Sequence, residues 1–98
     1  MIMLRLSPRA FADVDRFTSS TLEYDPGAAD GVLESILNGL EVLRRHPLIG
    51  RPVEHGLREL VISRGRSGYI ALYEFNPTRG EILVHKLRHQ LEAGYRQS

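Results

Sequence analysis

Tyr69-Ile70-Ala71-Leu72-Tyr73-Glu74-Phe75 and Glu81-Ile82-Leu83-Val84-His85-Lys86-Leu87, joined by Asn76-Pro77-Thr78-Arg79-Gly80, define the class of this 98-residue chain. Both flanking segments are rich in aromatic and aliphatic residues, which suit a pleated, half-buried surface. The connector pairs proline with glycine, as a tight turn requires. Ile82 and Val84 read as one face of the second segment, Leu83 and Leu87 as the other. A strand apolar on both faces belongs in the interior of a sheet. Upstream, Leu57 to Arg64 reads as a third strand centred on Leu60, Val61 and Ile62, and Gly65-Arg66-Ser67-Gly68 as the turn that follows it. Gly50-Arg51-Pro52 to Gly56 reads as a loop.

Before that loop the period changes from two to near four. Ser7-Pro8 and Asp25-Pro26 each place a capping side chain ahead of a proline at the first helical position, where its missing N–H costs nothing. Phe11, Val14 and Phe17, with Ala10, form the apolar stripe of a helix ending near Leu22 or Tyr24. Arg9, Asp13 and Arg16 are placed toward water. Val32, Leu33, Ile36, Leu37, Leu40 and Leu43 make a broader stripe that runs until His46-Pro47 stops it. So short a connection implies an antiparallel helical hairpin. Ile2, Leu4 and Leu6 alternate as a first strand, and Gln90 to Arg96 reads as a short terminal helix. The expected fold is α+β, in the order β-α-α-β-β-β. The hairpin packs on one face of a mostly antiparallel four-stranded sheet. It forms a single domain over residues 1–98.

Length permits one hydrophobic core. Apolar residues make up 42% and charged residues 26%, an ordinary globular balance, so disorder is not expected. There is no cysteine, which removes disulfides, thiolate metal sites and cysteine nucleophiles. A secreted domain of this size would usually need such staples, so a cytoplasmic location is expected. Met1 to Leu6 is too short for a signal peptide, and no apolar run could span a bilayer. The net charge is +1. Residues 1–49 carry 5 Lys/Arg against 7 Asp/Glu, and residues 50–98 carry 8 against 5, so the basic excess lies in the second half. Twelve of the thirteen cations are arginine, Lys86 being the exception. Arginine suits bidentate contact with phosphate or carboxylate, although a GC-rich genome produces the same bias.

The sequence has no P-loop, HExxH, GxSxG or dinucleotide fingerprint. No cofactor, metal or small-molecule ligand is expected. Three features bear on chemistry. Arg64 and Arg66 flank a glycine turn and could clamp a phosphate; as a solvated hairpin tip they would do nothing. His85-Lys86-Leu87-Arg88-His89 closes the last strand, where a histidine could move a proton and Arg88 could offset phosphoryl charge. His85 and His89 alone are too few to hold zinc. Tyr95 could fold back over Arg88 and His89 to stack on a base, or simply cover the edge of the core.

The second half resembles the RelE/ParE toxin superfamily. The residues that carry the likeness are Leu57-Arg58-Glu59-Leu60-Val61-Ile62, Gly68-Tyr69-Ile70-Ala71-Leu72-Tyr73 and Ile82 to Gln90. Within them, a glycine-tyrosine pair opens a strand that ends in tyrosine. An arginine-histidine pair then closes the last strand, with an aromatic several residues later, here Tyr95. The order of elements extends the likeness over nearly the whole chain. The resemblance implies the toxin of a type II toxin–antitoxin pair, held by a cognate antitoxin that wraps it and buries apolar surface on the hairpin and on a sheet edge, with the outer faces of residues 9–24 and 28–45 as the main contact region. It also implies one of two targets. RelE-like members cut messenger RNA on the ribosome, and ParE-like members inhibit DNA gyrase without cleaving RNA. Ribonuclease members usually carry arginine after the glycine-tyrosine pair and lysines on the preceding strand; here those places hold Ile70, Val61 and Ser63. The ParE-like branch is therefore favoured, a gyrase-binding inhibitor with no catalytic residue of its own. Arg64, Arg66, Lys86 and Arg88 would then make the target or phosphate contacts. The alternative is a ribosome-dependent nuclease using Arg88, His89 and Tyr95; a third possibility is a toxin fold that persists only as a binding partner.

Overall fold

The computed structural model describes residues 1–64 and 67–90, without the side chains of Tyr24, Ser63, Arg64 and Ser67. The elements are β1 (Met3–Leu6), α1 (Pro8–Tyr24), α2 (Pro26–Leu40), α3 (Val42–Arg45), β2 (Arg51–Pro52), a single 3₁₀ turn (Glu54–Gly56), β3 (Arg58–Arg64), β4 (Ser67–Asn76) and β5 (Glu81–His89). The strands form one sheet in the order β1-β5-β4-β3-β2. β1 runs parallel to β5 and the other pairings are antiparallel. The expected α+β class and element order hold, with one strand more than expected. Arg51 and Pro52, read as loop, pair with Glu59 and Arg58 at the sheet edge. Two residues carry no periodicity, so nothing local marks them as a strand. Ser67 and Gly68, read as turn, belong to β4, whose register with β3 runs out to Arg64↔Ser67. The expected terminal helix lies outside the described residues beyond Gln90.

Ser7 caps α1 as expected, its Oγ accepting from the Ala10 N–H at 3.0 Å. The same hydroxyl donates to the His85 carbonyl at 2.6 Å, and the Ser7 N–H to the Val84 carbonyl. One residue thus ends β1, starts α1 and fastens both to β5. Asp25 caps α2 through its backbone only, its carbonyl accepting from Ala28. The second helix breaks at Glu41 into α2 and α3, ahead of the expected stop at His46-Pro47.

The core lies between the helices and one face of the sheet. Val14, Phe17, Val32, Ile36, Leu40 and Leu43 meet Leu60, Ile62, Tyr69, Tyr73, Ile82, Val84 and Leu87. Several expectations of facing are corrected. Phe11 at the flank of the α1 stripe, and Leu33 and Leu37 at the flank of the α2 stripe, are exposed. Asp13, placed toward water by its charge, is 4% exposed. Leu87 shares its face with Ile82 and Val84, not with Leu83. The register steps from Tyr73↔Val84 to Leu72↔Lys86, which leaves His85 as an extra residue on β5. Such a bulge inverts the parity beyond it, so Leu87 turns inward. β5 is nonetheless interior, between β1 and β4.

Candidate functional site

β1 ends beside Val84, so among the described residues the last part of β5 has no strand on that side. Helix α1 takes its place. The Leu87 N–H donates to Asp13 Oδ2 at 2.9 Å, which satisfies a buried strand-edge donor. Asp13 Oδ1 lies 3.3 Å from Arg9 Nε and 3.6 Å from an Arg16 terminal nitrogen. This cation–carboxylate–cation set follows helical spacing, because residues three and four apart share a face. By sequence alone the three residues read as a solvated stripe. Nothing within α1 reveals that an unpaired backbone N–H waits opposite Asp13.

The arginines of α1 and the end of β5 enclose a cleft of about 450 Å³. Lys86 and Arg88 line it from β5, Ile70 and Leu72 from β4, and Glu59 from β3. Lys86 sits across from Leu72, and Arg88 across from Ile70. These residues occupy the sheet face opposite the helices, where Val61 is 55% exposed. Glu59 holds Arg51 at 2.6 Å with one oxygen and reaches an Arg88 terminal nitrogen at 3.5 Å with the other. The Nε of Arg88 is buried without an acceptor among the described residues.

The structure separates two residues that the sequence sets side by side. His89 lies across from Tyr69, with its ring edge-on to the tyrosine at 5.4 Å between centroids. Tyr69 in turn packs on Phe17 of α1 at 4.8 Å. His89 therefore belongs to the helix-covered face and Arg88 to the open one, as alternation along a strand requires. Lys86 and Arg88 share the open face. Arg64 is placed by its backbone alone, at the end of β3. Arg66 and Tyr95 lie outside the described residues. His85 Nε2 is 2.7 Å from Glu74 Oε1, away from His89. Among the described residues, no three metal-ligating side chains come together and no helix is long and apolar enough to cross a membrane.

Residues 4–94 match the family model for the ParE toxin of the type II toxin–antitoxin system parDE. Toxin RelE3 of Caulobacter vibrioides is 34% identical over 92 residues, covering 94% of this chain and 98% of the relative. The solved chromosomal ParDE system of P. aeruginosa contains a chain that superposes with a TM-score of 0.75 at 23% identity, over 89% of this chain and 94% of that one. A chain of the RelBE2 toxin–antitoxin complex of Mycobacterium tuberculosis superposes with a TM-score of 0.58 at 18% identity, over 91% of each. At such identities the two structures speak for the fold, and the family match speaks for the lineage. The chain belongs to the ParE toxin family of type II toxin–antitoxin systems, within the RelE/ParE superfamily.

Proposed function

We propose that this toxin arrests growth by binding and inhibiting DNA gyrase, and that a cognate antitoxin neutralises it by covering the helical hairpin. The observation that carries the target is the division of Arg88 and His89 between opposite faces of the sheet. Scission of RNA by its own 2′-hydroxyl needs a base, an acid and cations converging on one phosphate. Here the histidine packs on Tyr69 toward the helices. The arginine stands among Ile70, Leu72 and Glu59. The ladder positions that a nuclease would fill with cations hold Val61 and Ile70, paired directly across β3 and β4. An apolar surface carrying a few arginines suits a protein target better than a phosphate chain, whose binding rests on many cationic contacts. A net charge of +1 agrees with that. The antitoxin part is supported by the family match and by the toxin–antitoxin systems in which the two structural neighbours were solved.

The test is a supercoiling assay with purified gyrase, run beside primer extension on RNA translated in its presence. The expected result is loss of supercoiling at micromolar toxin with unchanged RNA ends, and the same inhibition by His89→Ala. Codon-positioned cuts in the RNA, with supercoiling intact, would overturn the gyrase reading in favour of the nuclease one.

A further inference from the structure

We propose that the cleft between α1 and the end of β5 receives an acidic segment of the antitoxin, with a carboxylate on Arg88 and an apolar neighbour over Val61, Ile70 and Leu72. This rests on the reading above that a polypeptide antitoxin binds this chain, and adds where and by what chemistry one part of it docks. Charge is the first argument. Among the described residues, Arg9, Arg16, Lys86 and Arg88 face two carboxylates, and both are already engaged. Asp13 holds the Leu87 N–H together with Arg9 and Arg16. Glu59 is committed to Arg51 at 2.6 Å and reaches Arg88 only at 3.5 Å.

The second argument is the state of Arg88. A guanidinium carries five N–H donors in a planar fork that matches a carboxylate edge-on. Among the described residues this one makes a single long ion pair, and its buried Nε has no acceptor. A buried donor left unmade is unfavourable. An anion that draws the guanidinium outward into the cleft gives those donors acceptors. The third argument separates peptide from nucleic acid. Aliphatic Ile70 and Leu72 line the cleft beside the cations, with Val61 exposed next to Ile70. Glu59 would repel a run of phosphates at the point where they would have to pass. A polypeptide can set one carboxylate between apolar side chains; a phosphodiester chain cannot.

The experiment uses the full chain with ¹⁵N-labelled arginine side chains, followed by the Nε–H resonances. Three probes are titrated: the peptide acetyl-Leu-Glu-Val-Asp-Leu-amide, its Gln/Asn isostere, and decauridylate. The acidic peptide is expected to move the Arg88 resonance, with smaller shifts at Arg9 and Arg16. The isostere and decauridylate should bind at least tenfold more weakly. Arg88→Gln should weaken the acidic peptide about tenfold, and Arg88→Lys, which keeps charge but loses the fork, by a smaller factor. Lys86→Gln, at an exposed rim position, serves as a second variant with an intact fold and should weaken it two- to threefold. Equal binding of the isostere would reduce the cleft to an apolar contact and overturn the proposal, as would tighter binding of decauridylate at the same resonances. Copurification of this chain with the product of the neighbouring gene is read separately. Copurification with no shift at Arg88 overturns the cleft and leaves the antitoxin reading standing. Failure to copurify overturns the antitoxin reading, whatever the peptide does.

Discussion

Asp13 acts from a buried position that its charge did not suggest. Its carboxylate replaces a missing strand: one oxygen accepts from the Leu87 N–H, and the other sits between Arg9 and Arg16. Removing it leaves a buried donor unpaired and two arginines without their shared counter-charge. Asp13→Ala should therefore cost roughly 2 kcal/mol in urea unfolding. Asp13→Asn, which keeps the acceptor for Leu87, should cost clearly less. Equal losses for the two variants would show that charge, not the strand-edge hydrogen bond, matters here. Tyr73 plays a similar part at the other end of the sheet. Its hydroxyl donates to the Pro47 carbonyl at 2.8 Å and accepts from the buried Gly50 N–H at 2.9 Å. Arg58 holds the same loop through the Leu48 and Gly50 carbonyls.

Between α2 and β3 the contact is set by the absence of a side chain. A methyl group on Gly39 would lie 2.5 Å from Ile62 Cγ2 and 3.0 Å from its Cγ1. Alanine at a helical glycine favours the helix by about 1 kcal/mol. Overpacking a tight core costs about 1–3 kcal/mol, and a 2.5 Å approach to a buried β-branched side chain belongs at the upper end. Gly39→Ala should thus destabilise the protein by about 2 kcal/mol. Combined with Ile62→Ala it should cost measurably less than the two single variants added together, because the second change removes both colliding carbons. Additive losses in denaturant titrations would mean that α2 shifts as a body instead. β5 shows the complementary device. Its bulge at His85 turns Leu87 toward the helices and leaves Lys86 and Arg88 on the open face.

For the molecule as a whole, the helical layer covers one face of the sheet and itself leaves apolar groups outside. Phe11 and Leu22 on α1, and Leu33 and Leu37 on α2, are all exposed. Single exposed apolar residues are ordinary; four on one hairpin agree with a partner that covers it. Phe11→Asp with Leu37→Asp should weaken antitoxin binding at least tenfold, as for anchors of a docked surface. The change in stability should be small, about 0.5 kcal/mol per site, as at other exposed positions. Calorimetric titration beside thermal melting checks both, and unchanged affinity would move the antitoxin off the hairpin.

Short-range signals along the chain specify the α+β class, the order of elements and the single core, since caps, prolines and periodicity act within a few residues. Ser7-Pro8 and Asp25-Pro26 mark helix starts in any context, and Asn76 to Gly80 marks a turn. The family likeness was also legible, because it rests on the order and spacing of short motifs along β3, β4 and β5. The tertiary structure alone decided which residues share a site. Asp13 and Leu87 lie 74 positions apart, and they meet because β1 ends at Leu6 beside an unfinished edge of β5. One extra residue at His85 set which side chains near the end of that strand face the helices. Alternation along the strand then put Arg88 and His89 on opposite faces. Such effects come from long-range hydrogen bonding and register, for which neighbouring residues carry no signal. For that reason the basic cleft, with Arg9 and Arg16 in it, could be seen only once the chain was folded.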